Sequence, residues 1–374
     1  MIPIFLRAAV VARLATRVAL AGATAQVTSA VAQGATAGPS SLAATIALEP
    51  GTATSPGLVA ARTTTKARGA AGSQGTAPSH GTAPPRVSRP ARPVQLGVAE
   101  ADSVRRAIEK DRSDTEKWLS SDSTSYLATV QRRDFGDKTV LAVGREPGND
   151  VRIDDSTIQP HHLRVTVVGD SFHVEALDEA ARFWAQGAER REATLGPSSI
   201  KTGRFTLRLS HQRYPAIIVF DPQSPRFKDY KGLKYFPPDL SYHYELHLTP
   251  APRLDTLIIM STRGNQRRAV RVGWFDFMVG NTPCRLEATR LLEPGVGEGD
   301  FGVFFRDATC GKESYALGRY LDAKPLGDGR YVLDFNFAYN PACAISEHYN
   351  CPIPPKANHL KVAIRAGEMD SHYH

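Results

Sequence analysis

Residues 139–177 read TVLAVGREPGNDVRIDDSTIQPHHLRVTVVGDSFHVEAL, and three short runs rich in β-branched residues stand out: Thr139–Val143, Leu163–Val168 and Ser171–Ala176. Each is bounded by Gly, Pro, Asn or Asp, the residues that set turn geometry, so each reads as a strand rather than as part of a helix. The pattern recurs toward the C-terminus, at Phe205–Leu209, Ala216–Phe220, Tyr242–Leu248, Thr256–Ile259, Ala269–Val272, Trp274–Val279, Gly302–Phe305, Tyr331–Phe335 and Leu360–Ile364. Strands at this density, with no helices between them, predict a mainly β chain built of two antiparallel sandwich or barrel modules. They exclude a parallel doubly wound sheet.

The segment Asp221–Leu240 (DPQSPRFKDYKGLKYFPPDL) carries four prolines and no alternation, so the modules are set at 120–220 and 221–374. Upstream, residues 98–119 (VAEADSVRRAIEKDRSDTEKWL) place Val104, Ala107, Ile108 and Thr115 at helical spacing, which predicts one amphipathic helix leading into the fold. Residues 27–97 are Ala, Thr, Gly, Ser and Pro in no period and offer too little apolar surface to offset the entropy of ordering them. They read as a disordered linker. Residues 1–26 carry an early Arg, an Ala- and Val-rich stretch and a small-residue ATA ending, the features of an export signal, although Arg13 and Arg17 interrupt its apolar part. The expectation is an exported protein, periplasmic or extracellular, with a cytoplasmic location as the alternative.

The net charge of +8 in 374 residues is unevenly spread. Residues 1–98 hold nine basic residues and one acidic one, so residues 99–374 hold 37 of each and are neutral. A folded body without a cationic face argues against nucleic acid as a partner. No run reaches the ~20 apolar residues of a membrane span, because Arg7, Arg13 and Arg17 break the one candidate.

The quoted stretch resembles a forkhead-associated (FHA) domain, whose pattern is Gly-Arg, then Asn-Asp, then Ser-Arg-x-His before two strands. Gly144, Arg145, Asn149, Asp150 and His162 match, and Lys201–Leu209 resembles the closing strands. Gln159 and Pro160 stand where the Ser-Arg pair belongs. They remove the hydroxyl and guanidinium that, with the first Arg, would hold a phosphothreonine, so the resemblance implies a kept sandwich with altered chemistry.

Toward the C-terminus come RDATCGKESYALGRYL (306–321), DFNFAYNPACA (334–344), CPIPPKAN (351–358) and AGE (366–368). Together they resemble the signature of domain-of-unknown-function family 1684, a bacterial and archaeal group. The likeness runs back to about Val98, departs over 118–137, and brings no activity with it.

This segment concentrates side chains that bond directionally, and Arg319, Tyr320, Asp334, Asn336, Tyr339, Asn340 and Asn358 are the candidate ligand-binding set. Polar residues on a strand that runs into an Asn-Pro turn either line a pocket or tie down a loop. Alternation puts His243, Glu245 and His247 of YHYELHL on one face, a facial metal triad or simply the wet face of a strand. Cys343 and Cys351, seven residues apart, would close a disulfide worth roughly 2–3 kcal/mol in an exported chain. Cys284 and Cys310 read as small buried apolar residues in strands.

No nucleophile elbow, P-loop, zinc-protease motif, dinucleotide fingerprint or EF-hand occurs, so no cofactor and no metal are called for. Two classes of function remain. One is a non-catalytic binding module for a small polar ligand or peptide. The alternative is an enzyme of unrecognised type, a hydrolase or transferase, with Asp334 or His348 as acid or base and Cys343 as nucleophile. Oligomeric state does not follow from the sequence.

Overall fold

Among the described residues, a single residue of strand pairing precedes the helix. The computed structural model describes residues 89–373, so the expected export signal and linker residues 27–88 lie outside the described residues. Linker residues 89–97 belong to the fold: Ala91 bridges Phe277 in parallel, and the Val94 amide donates to the His243 carbonyl at 3.0 Å. A free edge of backbone on the second module supplies the hydrogen bonds that composition alone could not foretell.

The helix spans Val98–Ser121, and the Gly97 amide donates to Glu100 Oε2 at its start. Ile108, Thr115 and Leu119 are its buried residues, whereas Ala107 faces solvent. Its polar residues also hold the Pro-rich segment. Glu116 accepts from the Tyr230 hydroxyl at 2.7 Å and the Leu233 amide at 3.2 Å, and Arg112 donates to the Phe236 carbonyl at 2.9 Å.

The first module is a sandwich. One sheet runs in the order Thr129–Asp134, Pro215–Phe220, Phe205–His211, Ser198–Thr202, Phe183–Ala185, Ala188–Arg190. The other runs Val151–Arg152, Val140–Gly144, Leu163–Val168, Ser171–Ala176, Glu192–Leu195. The expected strands Leu163–Val168 and Ser171–Ala176 appear with those bounds. Period-two alternation sends Leu141, Val143, Val165, Phe172 and Val174 inward against Ile200, Leu207, Leu209, Ile217 and Val219. His162 sits at the edge of this core, 3 % exposed. Its Nδ1 accepts from the Gln159 amide, so Nε2 carries the proton and donates to the Arg182 carbonyl at 3.1 Å. Burial pushes this imidazole below its ordinary 6.5.

The second module is built on a long hairpin, Gln266–Val279 with Thr282–Leu291. Gly273 reads as punctuation between two strands, yet the chain runs on through it as one strand. A Cβ there would stand 2.3 Å from the Thr249 carbonyl, and a register shift between Arg271 and Gly273 absorbs the irregularity. Thr249–Pro250 and Thr256–Met260 pair along the hairpin's other edge. A three-stranded sheet, His243–His247, Arg330–Asp334 and Lys324–Gly327, and a short pair, Val303–Phe305 with Arg319–Leu321, complete the module. Their apolar faces meet around Phe335, whose ring lies 5.4 Å from those of Phe277 and Phe305 and 6.1 Å from that of Tyr244. Each fully buried aromatic of this kind contributes about 1.5–3 kcal/mol. No helix among the described residues is long and apolar enough to cross a membrane.

Leu360–Ile364 is not a strand. These residues are irregular: the Leu360 amide donates to the Arg306 carbonyl at 2.8 Å and the Ala308 amide to the Val362 carbonyl at 2.9 Å, and side chains hold the tail beyond them. The Arg319 guanidinium, fully buried, donates to the carbonyls of Ile364 at 2.8 Å and Glu368 at 3.2 Å and also to that of Ala366. It faces Asp307 at 3.4 Å, and Asp307 Oδ2 in turn accepts from the Ile364 amide at 2.6 Å.

Two outcomes follow for the intact chain. Arg319→Ala leaves Asp307 and three carbonyls buried without their donor, and a urea melt should show a loss of about 3–5 kcal/mol. The pH dependence has a definite sign. With a folded-state His162 below 6.5, both states are neutral at higher pH, and the unfolded state takes up the proton first as pH falls. The melting temperature should therefore drop below about pH 6.5. A shallower drop in His162→Gln attributes it to this residue, and an equal one does not. His348, held down by burial and by Arg226, Arg263 and Arg132, adds to the same slope.

Candidate functional site

Two places gather functional groups, the loop end of the first module and the signature cluster of the second. At the loop end, Gly144 closes the strand Val140–Gly144 beneath Pro160. A Cβ on Gly144 would lie 2.2 Å from the Pro160 carbonyl, so only glycine lets the two loops touch. Asn149 Nδ2 then donates to the Glu146 carbonyl at 2.9 Å and to the Pro160 carbonyl at 2.8 Å, and the Arg145 amide donates to the Gln159 carbonyl at 3.0 Å. Gln159 and Pro160 thus hold the loop through their backbone, while the Ser-Arg side chains of the FHA pattern are missing.

Above this frame the Arg145 side chain is exposed. Its Nε donates to the Ile158 carbonyl at 3.3 Å, and no carboxylate among the described residues pairs with its terminal nitrogens. His161 is exposed beside it, with Nδ1 3.4 Å from Asn149 Oδ1. Arg152 donates to the Arg145 carbonyl at 3.1 Å and reaches Asp154 at 3.1 Å. It also lines a cleft of about 290 Å³ shared with Val130, Gln131, Ile153, Asp154, Arg204, Phe205, Val219 and Asp221. In that cleft Arg204 grips Asp221 with two bonds of 3.0 Å. The sequence names Arg145 and Asn149 through the FHA resemblance. It carries no signal for the cleft, whose walls come from four separate strands and turns.

The signature cluster is largely engaged within the fold, with Arg319 Nε and Asn340 Oδ1 the buried atoms of the set that have no hydrogen-bond partner among the described residues. Asp334 accepts from His243 Nδ1 at 2.7 Å, and from the amide and side chain of Asn336 at 2.9 and 2.8 Å. Asn336 grips the Asp239 backbone twice, at 2.8 Å each. Tyr320 donates to the Pro352 carbonyl, and Tyr339 to Asp322 at 3.4 Å. Asn340 donates to the Met369 carbonyl at 2.8 Å. Asn358 binds the Glu287 amide and the carbonyls of Glu287 and Phe304 at 2.7–3.0 Å. All seven candidates, Arg319 included, are at most 6 % exposed. Their arrangement is that of a clamp which fastens loops and tail, not of side chains turned toward a ligand.

The triad on YHYELHL disperses as well: His243 goes to Asp334, Glu245 pairs with Arg330 at 3.2 Å, and His247 is exposed. The His243–Asp334 contact spans 91 positions in sequence and carries no motif. Cys343 lies against Cys351 and Tyr315, and no hydrogen bond among the described residues joins it to His348 or Asp334. The Cys343 and Cys351 thiols are unbonded. Cys284 is buried in the strand Thr282–Leu291, but Cys310 is half-buried in a turn, where its sulfur accepts from the Asp307 amide at 3.4 Å.

Two family models match the chain: "Protein of unknown function (DUF1684)" over residues 228–369 and the FHA domain over residues 141–201. An uncharacterized protein of Haloarcula marismortui, solved by solution NMR, is 34 % identical over 41 % of this chain and 85 % of its own, with a TM-score of 0.33. Mycobacterium tuberculosis EmbR, solved in complex with a low-affinity phosphopeptide, is 13 % identical over 33 % of this chain and 31 % of its own, with a TM-score of 0.18. No curated protein matches. The C-terminal module is thus a DUF1684 domain by its match over residues 228–369, and an FHA domain, matched over residues 141–201, lies ahead of it in the chain.

Proposed function

We propose that this chain is a non-catalytic binding protein whose FHA domain takes an extended peptide across its loop end, with Arg145 anchoring an acidic group of that peptide. The observation that carries the reading is the exposed Arg145 guanidinium, free of any carboxylate among the described residues and mounted on loops that Gly144 and Asn149 hold rigid. A preorganised cation binds an anion without first breaking an internal pair. Arg152 connects this loop to the cleft between the strands Thr129–Asp134 and Val151–Arg152, which offers the rest of the peptide a path.

Because Gln159 and Pro160 supply neither hydroxyl nor guanidinium, a phosphothreonine meets one guanidinium here rather than two. The preference for phosphate over carboxylate should be small. The DUF1684 domain, with its polar cluster engaged internally, serves as the platform.

Fluorescence anisotropy with matched peptides carrying Thr, Asp or phosphothreonine tests this. The two acidic forms should bind within about tenfold of each other and better than Thr. Arg145→Ala should lose about 1.5–3 kcal/mol, the worth of a hydrogen-bonded charge. Equal binding by Arg145→Ala and the unaltered chain places the site elsewhere.

A further inference from the structure

Cys343 and Cys351 flank a loop that is unusual in what it touches. The Cys343 amide lies 3.4 Å from Cys351 Sγ, and the Tyr315 hydroxyl reaches Cys343 Sγ at 3.8 Å. Between the two cysteines, the Ile345 side chain packs with Leu119 and Leu127, and its carbonyl accepts from Arg226. The His348 carbonyl accepts from Arg132 at 3.3 Å, and the Tyr349 hydroxyl lies 3.0 Å from Thr129 Oγ1. Through these nine residues the C-terminal domain touches the end of the helix, the turn after it and the first strand of the first module.

We propose that Cys343 and Cys351 form a modification site, an oxidisable thiol pair whose disulfide locks the junction loop. Both residues are less than a tenth exposed, which leaves room for a small oxidant of the peroxide class and excludes a protein oxidant. Cys343 is the attacking sulfur, because the Cys351 thiol and then Tyr315 donate toward it and favour its thiolate, while burial holds Cys351 protonated. In the first step the peroxide O–O bond breaks, an S–O bond forms at Cys343, and the sulfenic acid and one water result. In the second, the Cys351 sulfur displaces the sulfenic hydroxyl, which leaves as a second water with the thiol proton as the S–S bond closes. Two electrons and two protons pass from the thiols to one peroxide.

The reduced full-length chain is titrated with hydrogen peroxide, unfolded, alkylated and mapped by mass spectrometry. Cys343 and Cys351 should lose alkylation together, with one peptide pair two hydrogens lighter, reversible by a dithiol. Cys284 and Cys310 should stay alkylatable. Cys351→Ser should stop at a trappable sulfenic acid on Cys343, which a pair joined by chance contact would not give. Amide exchange over Ile345–Asn350 and Thr129–Asp134 should slow about tenfold in the oxidised form, since a closed loop opens less often. The proposal is overturned if both thiols remain alkylatable, if Cys343 runs on to sulfinic acid unlinked, or if exchange at the junction does not change.

Discussion

A guanidinium with no access to water sets the terms for the DUF1684 domain. Arg319 lies between the rings of Phe305 at 5.3 Å and Phe236 at 5.7 Å, and its two terminal nitrogens donate to Asp307 and to the carbonyls of residues 364, 366 and 368. Burying a charge this deeply costs several kcal/mol unless its hydrogen bonds are satisfied, so the tail must follow the one path that presents its carbonyls. That path brings Glu368 to the Asn340 amide at 2.8 Å and pairs the backbone at Tyr235 with Glu368. The segment 235–236 is thereby fixed, and through Phe236 and Arg112 so is the helix. One buried ion thus orders four pieces of chain that have no sheet ladder in common.

Local alternation is legible in a sequence, whereas contacts made across long stretches of chain are not. Strands of the first module could be read because their side chains alternate between one core and solvent, and that period survives in the sequence. Gly273 misled because a glycine that ends one strand and a glycine that admits a neighbouring carbonyl look the same in one dimension. Leu360–Ile364 misled because its apolar side chains do face a core, while its backbone makes two isolated bonds to residues 306 and 308 and gives the Ile364 amide and carbonyl to the Asp307 and Arg319 side chains, which is no regular ladder. The signature cluster illustrates the limit most sharply. Asp334, Asn336 and Asn358 carry the donors and acceptors a binding pocket needs, and a clamp needs the same ones. Only burial and partner identity tell them apart, and both are set by contacts such as His243–Asp334, made across 91 positions.

The FHA domain shows the opposite economy. Its loops are shaped by backbone carbonyls and by Asn149, and Arg145 gives them only its Nε, at the Ile158 carbonyl, while the rest of its guanidinium faces outward. Loss of Ser and Arg from the phosphothreonine pattern therefore leaves the frame intact: Gln159 still accepts from Arg145, and Pro160 still accepts from Asn149, both through main-chain oxygens that any residue supplies. Fold and chemistry in this module are carried by different atoms, which is why they can diverge.

The strand Thr129–Asp134 ties the two domains into one mechanical problem. Thr129 and Arg132 touch Tyr349 and His348 of the junction loop, whereas Val130 and Gln131 line the cleft beside Arg152. A register irregularity between Thr129 and Gln131 lets successive residues serve the two sides. Asp134 extends the contact by bridging Arg132 and Arg263. The junction joins guanidinium-to-carbonyl and hydroxyl contacts to an apolar cluster in which Ile345 packs with Leu119 and Leu127 and the Tyr349 ring meets that of Tyr126 at 5.0 Å. Its geometry depends on where the loop carbonyls point as well as on this packing, and a change in loop backbone has a contiguous route of packed atoms to the cleft wall.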